Sequence, residues 1–155
     1  MKFNSGDPAQ PYDSGAEFGT KGWSEAYGLF LKGESDLVLS YTTSPAYHQI
    51  VEKTDRYKAL VFPEGNYMQV EVAAAIAGSA HADLAKSFLA FLISPDAQKV
   101  IPTTNYMYPV RDIGADLPPE FTALPKPEKS LLLPADEAAK HRDDWIKAWV
   151  EAISQ

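Results

Sequence analysis

The sequence predicts an α/β domain with a mostly parallel sheet flanked by helices and followed by C-terminal helices. Three observations carry this prediction. Apolar runs of strand length at residues 36–41, 57–62 and 67–76 alternate with stretches of helical patterning. Thr43-Ser44-Pro45 and Ser94-Pro95 place a hydroxyl residue and a proline where helices begin. Residues 134–153 carry an apolar stripe at helical spacing, which marks a terminal helix. Strands that alternate with helices are the pattern of a parallel sheet covered by crossover helices.

Residues 1–20 are rich in Gly, Pro, Ser and Asp and show no apolar period, so they read as a linker or an unrelated leader outside the fold. The folded portion is expected to be residues 21–155. Its first helix follows Trp23, with Ser24 as N-cap, Glu25 in the first turn, Tyr27, Phe30 and Leu31 on one face, and Gly33 as the stop. A strand at 36–41 then runs into a helix capped by Thr43 or Ser44, with Pro45 at its first position.

Strands at 57–62 and 67–76 are separated by the turn Pro63-Glu64-Gly65-Asn66, and the second alternates before becoming wholly apolar, as a buried strand does. Leu84, Ala85, Phe88, Leu89 and Leu92 share a face of a helix over 82–93, and Ser94-Pro95 starts another that runs through Val100. The polar-aromatic stretch 103–108 and the proline-punctuated stretch 117–127 read as loop rather than core. The terminal helix opens on acidic residues and places Ala138, Trp145, Ile146, Trp149 and Val150 in its stripe.

A chain of 155 residues with 45% apolar content suits a single lobe. Its 14 Lys and Arg against 21 Asp and Glu give a net charge of -7, with the basic residues scattered. Nucleic acid is therefore not an expected partner, because the phosphate backbone demands clustered cations. With no cysteine, neither a disulfide nor a thiolate metal site is available. No apolar run reaches the roughly 20 residues that span a bilayer, and the N-terminus lacks the basic start and apolar core of a signal peptide.

In open α/β sheets ligands sit beyond the carboxyl ends of strands, and residues 40–45 form such an end leading directly into a helix start. The donors offered there are the backbone N–H groups of Ala46 and Tyr47 and the hydroxyls of Thr42, Thr43 and Ser44; Pro45 has no N–H to offer. Trp23 precedes another helix start, and Tyr47, Tyr106 and Tyr108 can supply ring faces. A helix start favours anions and an electron-rich ring favours a flat cation, so a ligand with an aromatic cation at one end and a phosphate or hydroxyl at the other suits both. Ordinary N-capping accounts equally for the hydroxyls, and core packing for the indole.

Catalytic chemistry has no comparable signal. His48 and Glu52 at i and i+4 read as a solvated helical pair, while His81 and His141 stand without ligand spacing. No nucleophile elbow, phosphate-binding loop or dinucleotide fingerprint is present. The expectation is a protein that is not an enzyme and uses no cofactor, catalytic residue or metal ion.

Residues 21–48, 66–74, 88–95 and 101–110 resemble the C-terminal part of the periplasmic thiamine-binding proteins of bacterial ABC importers. The resemblance implies a lobe of the type II periplasmic-binding-protein fold, periplasmic localisation, and binding of thiamine, thiamine monophosphate or thiamine diphosphate for delivery to an ABC permease. It carries the family's Gly-Trp-Ser motif onto Gly22, Trp23 and Ser24. Its binding run falls on Tyr41, Thr42, Thr43, Ser44 and Pro45, and a further binding tyrosine on Tyr47. Tyr106 stands where the family pattern has a tryptophan covering the thiazolium. The first half of that pattern has no counterpart here, which leads to the expectation that this chain alone binds thiamine weakly and self-associates through exposed apolar surface.

Two other readings remain open. A related lobe could capture ferric ion, or else a small anion, through tyrosines near a helix start, although Tyr41 and Tyr47 are not adjacent and no Tyr-Tyr pair occurs. A self-associating fragment without any ligand is the other.

Overall fold

The computed structural model describes residues 20–153. The expected leader falls almost wholly outside the described residues; Thr20 alone is within them. The chain divides into two compact units, one drawn from residues up to Ser40 and from Leu132 onward, the other from Tyr41–Leu131.

The first unit contains helix α1 (Trp23–Lys32) and the long helix α6 (Ala135–Ile153). In α1 the N-cap is Gly22 rather than the expected Ser24, and no side chain caps the helix. Instead the Glu25 carboxylate accepts the Lys21 N–H at 3.0 Å, placing an anion in the first turn where the helix dipole favours it. Gly33 ends the helix as expected. Its φ of 79° turns the chain left-handed, and the N–H groups of Gly33 and Glu34 close on the carbonyls of Phe30 and Leu29, both at 3.0 Å. Helix α6 starts after Pro134 with Asp136 and Glu137 in its first turn, matching the sequence expectation.

The second unit holds the short helix α2 (Ser44–Tyr47), which widens into a π-helical turn over His48–Glu52. Strand β1 (Asn66–Tyr67), helices α3 (Ala82–Leu92) and α4 (Pro95–Thr104), a 3-10 turn at Gly114–Asp116, helix α5 (Pro119–Thr122) and strand β2 (Ser130–Leu131) follow. Ser94 caps α4, its hydroxyl accepting the Ala97 N–H at 3.3 Å. That helix runs past the expected end at Val100 and takes in Pro102, which is fully buried. Buried Gln98 spans its surroundings: its amide donates to the Leu92 carbonyl at 2.7 Å and accepts the Val110 N–H at 2.8 Å.

The core of this unit is Ala46, Phe121 and Leu124, with Ile50, Tyr106 and Leu117 packed on it. Phe121 and Leu124 lie in the proline-punctuated stretch expected to be loop. Prolines there stop extended secondary structure without excluding burial: Pro119 sits at the first position of α5, where its missing N–H has no intrahelical partner to lose. Tyr108 braces the same stretch, its hydroxyl donating to the Phe121 carbonyl at 3.0 Å and its ring meeting Phe121 edge-on at 5.4 Å.

The strand expectations are met in direction and missed in extent. β1 and β2 pair in parallel, Asn66 opposite Ser130 and Tyr67 opposite Leu131. Residues 36–41, 57–62 and 68–76 form no ladder among the described residues. Alternating apolar side chains mark a segment built for a sheet, but a strand exists only where a neighbour completes its hydrogen bonds, and here the would-be buried side chains stand in the open: Val72 is 86% and Ile76 81% exposed.

Two stability experiments follow from this packing. Gly65 has φ 116°, and a Cβ there would lie 2.9 Å from the Leu131 side chain and 3.0 Å from the Lys129 carbonyl oxygen. Gly65→Ala should therefore cost about 1–3 kcal/mol in urea unfolding. Partial burial raises the Tyr108 hydroxyl above the ordinary phenol value of 10.0. Because the unfolded chain then releases this proton first, the stabilisation is complete below about pH 10 and is lost as pH climbs through the folded value. Lys99, raised by its 3.0 Å bond to Asp116, loses its contribution in the same alkaline direction. Tyr108→Phe should cost about 1 kcal/mol at neutral pH and flatten the decline above pH 10, leaving the Lys99 share in place.

Candidate functional site

Residues 41–47 are shaped by two successive tight turns: the Ser44 N–H reaches the Tyr41 carbonyl and the Ala46 N–H the Thr43 carbonyl, each at 3.0 Å. Thr43, Pro45 and Ala46 are buried, which fixes the backbone to the unit's core. Tyr41 and Tyr47 face outward, 42% and 36% exposed, with Thr42 half-buried between the turns. One side of a short segment is thus spent on anchoring, and the other presents rings.

The donor inventory differs from the sequence expectation. The Ala46 N–H, expected to be free for a ligand, is engaged by Thr43. The Thr43 hydroxyl is buried and points at the Met107 sulfur, 3.9 Å away. Both corrections share one cause: a proline at the start of a four-residue helix forces the surrounding amides into turn bonds, and burial then closes off the hydroxyl beside them.

Tyr47 and Tyr106 do come together. Their ring centroids lie 5.0 Å apart at 89°, an edge-to-face pair. Tyr106 holds its place with a φ of 54°, a left-handed conformation uncommon outside glycine, at the end of α4. Next to it Asn105 donates to the Glu71 carboxylate at 2.8 Å, and Met107 takes the Thr43 contact, so both flanks of the strained residue are tied down.

Trp23 belongs to the first unit, while residues 41–47 and Tyr106 belong to the second. The indole is not core: it is 51% exposed, lies 4.8 Å from the Tyr27 ring, and donates through Nε1 to the Ser40 hydroxyl at 3.3 Å. About half of it is open to solvent at the start of α1.

His48 was expected in a solvated pair with Glu52. The pair forms, with Nδ1 2.7 Å from the carboxylate oxygen, but His48 is fully buried and stacked 4.2 Å from Tyr57. Spacing alone reveals the pair and not its depth; Pro45 and Ala46, just before it in the chain, are buried as well. Tyr57 carried no sequence signal beyond strand propensity. Among the described residues, no group of three His, Cys, Asp or Glu side chains could hold a metal ion. No helix there is long and apolar enough to cross a membrane.

Comparison with known proteins relates most of the chain to a family of solute-binding proteins. The sequence pattern described as bacterial extracellular solute-binding protein covers residues 9–99. Over 136 residues the chain is 60% identical to a thiamine-binding periplasmic protein of Brucella suis biovar 1 (strain 1330), covering 88% of this chain and 41% of that protein. It is 57% identical over 136 residues to the thiamine-binding periplasmic protein of Escherichia coli (strain K12), with the same 88% and 41% coverage. A solved structure of a periplasmic thiamin binding protein superposes with a TM-score of 0.81 at 56% identity, over 87% of this chain and 42% of that one. The chain therefore spans about 41% of the length of the curated relatives it matches. Its fold is the corresponding part of a type II periplasmic-binding-protein fold. The chain belongs to the bacterial extracellular solute-binding protein family.

Proposed function

We propose that this chain binds thiamine and its phosphate esters, as part of the periplasmic solute-binding component of an ABC importer, and performs no chemistry on its ligand. The observation that carries the reading is the meeting of Tyr47 and Tyr106 at 5.0 Å beside a backbone anchored by Thr43, Pro45 and Ala46. Two rings held at a right angle offer one electron-rich face and one edge, which suits a flat cationic heterocycle such as the thiazolium. Tyr41, Thr42 and Ser44 complete the proposed contacts in the second unit. The named relatives are thiamine-binding proteins of the periplasm, which supports both the ligand and the compartment for this chain.

The segment as it stands favours the ring end of the ligand over its phosphate end. With the Ala46 amide and the Thr43 hydroxyl engaged internally, few donors remain for an anion, so the 155-residue chain alone should leave a bound thiamine largely hydrated. Calorimetry should then show saturable thiamine binding weaker than about 1 μM, little changed for thiamine monophosphate, and weakened about a further tenfold by Tyr47→Ala. Submicromolar affinity in a monomer would contradict a largely hydrated ligand, and no saturable heat with either ligand would remove the thiamine reading.

Self-association is favoured by a separate observation. Trp145, Ile146 and Trp149 stand exposed along α6, beside an open hollow of about 560 Å³ that they line with Ala138, Ala139 and Arg142. Leu84, Phe88 and Phe91 are likewise exposed on α3. Apolar surface of this kind drives association. Light scattering over a hundredfold range of concentration should show the mean mass rising; a constant monomer mass would rule the association out.

A further inference from the structure

His48 follows the proposed binding segment directly, and its side chain is fully buried. An imidazole in such a place is more expensive to desolvate than a phenyl or isobutyl group of similar size, so filling space does not explain it. What imidazole adds is hydrogen bonding, and the bond to Glu52 helps to fix the plane of the ring. Nδ1 lies 2.7 Å from Glu52 Oε2, and because a carboxylate oxygen only accepts, the ring donates through Nδ1.

That fixed plane is passed along a row of rings. Tyr57 packs on His48 at 4.2 Å and 39°, His48 meets Tyr47 at 5.2 Å and 79°, and Tyr47 meets Tyr106 at 5.0 Å and 89°. The backbone beneath the histidine is the π-helical turn His48–Glu52, closed by Lys53 at φ 56°. Single π-helical turns are rare and concentrate at functional sites, and this one immediately follows the helix that carries Tyr47.

We propose that His48, locked by Glu52, is a positioning residue that holds the plane of Tyr47 and thereby sets how well the segment accepts a cationic ring. The part concerning affinity rests on the thiamine reading above; the part concerning ring orientation does not. Edge-to-face pairs depend on angle, so a histidine ring tilted out of the plane that the Glu52 bond favours would shift Tyr47 from its arrangement with Tyr106.

The test uses the 155-residue chain with ring-labelled tyrosine, followed by NMR without ligand and by calorimetry with thiamine. Glu52→Ala, at a partly exposed position that tolerates truncation, should shift the Tyr47 and Tyr106 ring resonances and weaken thiamine binding about tenfold, a step of about 1.4 kcal/mol, while cooperative unfolding persists. Glu52→Gln still offers an oxygen to Nδ1–H and should restore both readouts toward the wild type. His48→Phe keeps an aromatic ring in the buried slot and should behave like Glu52→Ala. Unmoved Tyr47 resonances in folded Glu52→Ala, or a Gln variant no better than Ala, would overturn the proposal. If the wild-type chain gives no thiamine heat while the ring resonances respond as described, ring positioning stands and the thiamine reading falls.

Discussion

The second unit depends on Ala46 lying against Phe121 and Leu124. These residues are far apart in sequence, and their contact joins the turn segment 41–47 to the proline-rich stretch near α5. Ala46 is small enough for the two larger side chains to close over it, which leaves no exposure at either Ala46 or Phe121. From that contact outward the rest is constrained: Thr43 and Pro45 are drawn under, Tyr41 and Tyr47 are turned out, and Tyr106 is packed against the same cluster from the end of α4. A core this small has little redundancy, so each of its members also fixes where a surface ring points.

Part of this was legible in the sequence because local chemistry decided it. Gly33 ends α1 since only a residue without a Cβ takes φ 79° cheaply, and Ser94-Pro95 opens α4 since a hydroxyl acceptor and a missing N–H both suit a helix start. The stripe of α6 was legible for the same reason: a period of 3.6 needs no partner to be seen. The segment 41–47, proposed above to bind ligand, was also visible as a helix start carrying tyrosines and hydroxyls.

What was not legible depended on partners distant in sequence. Residues 36–41 and 68–76 have the alternation of strands, but alternation records only that a face is apolar, and the ladder must come from elsewhere. Phe121 looked like a loop residue because prolines surround it, and its burial is decided by Ala46, which no local pattern announces. His48 was misjudged in the same way: an i,i+4 pair with Glu52 reads identically whether it faces water or Tyr57. The expected free amide of Ala46 failed for a smaller reason, the choice between a helix start and two overlapping turns, which a four-residue helix does not settle from sequence.

The loss of those donors changes what the segment can recognise under the proposed reading. A helix start that kept its first amides and hydroxyls open would select a phosphate through charge-assisted bonds. Here the Ala46 amide and Thr43 hydroxyl hold the turn in shape, so their energy goes into rigidity rather than recognition. What the segment retains is ring surface at fixed angles, backed by a left-handed Tyr106 whose neighbours Asn105 and Met107 are both engaged. Recognition by rings is tolerant of the ligand's tail and demanding of its flat head, because stacking falls off with angle while a solvated phosphate loses little by staying in water. Under the proposed reading, therefore, these residues would read the heterocycle common to thiamine and its phosphate esters, and discrimination among the esters would have to come from donors that residues 41–47 do not supply.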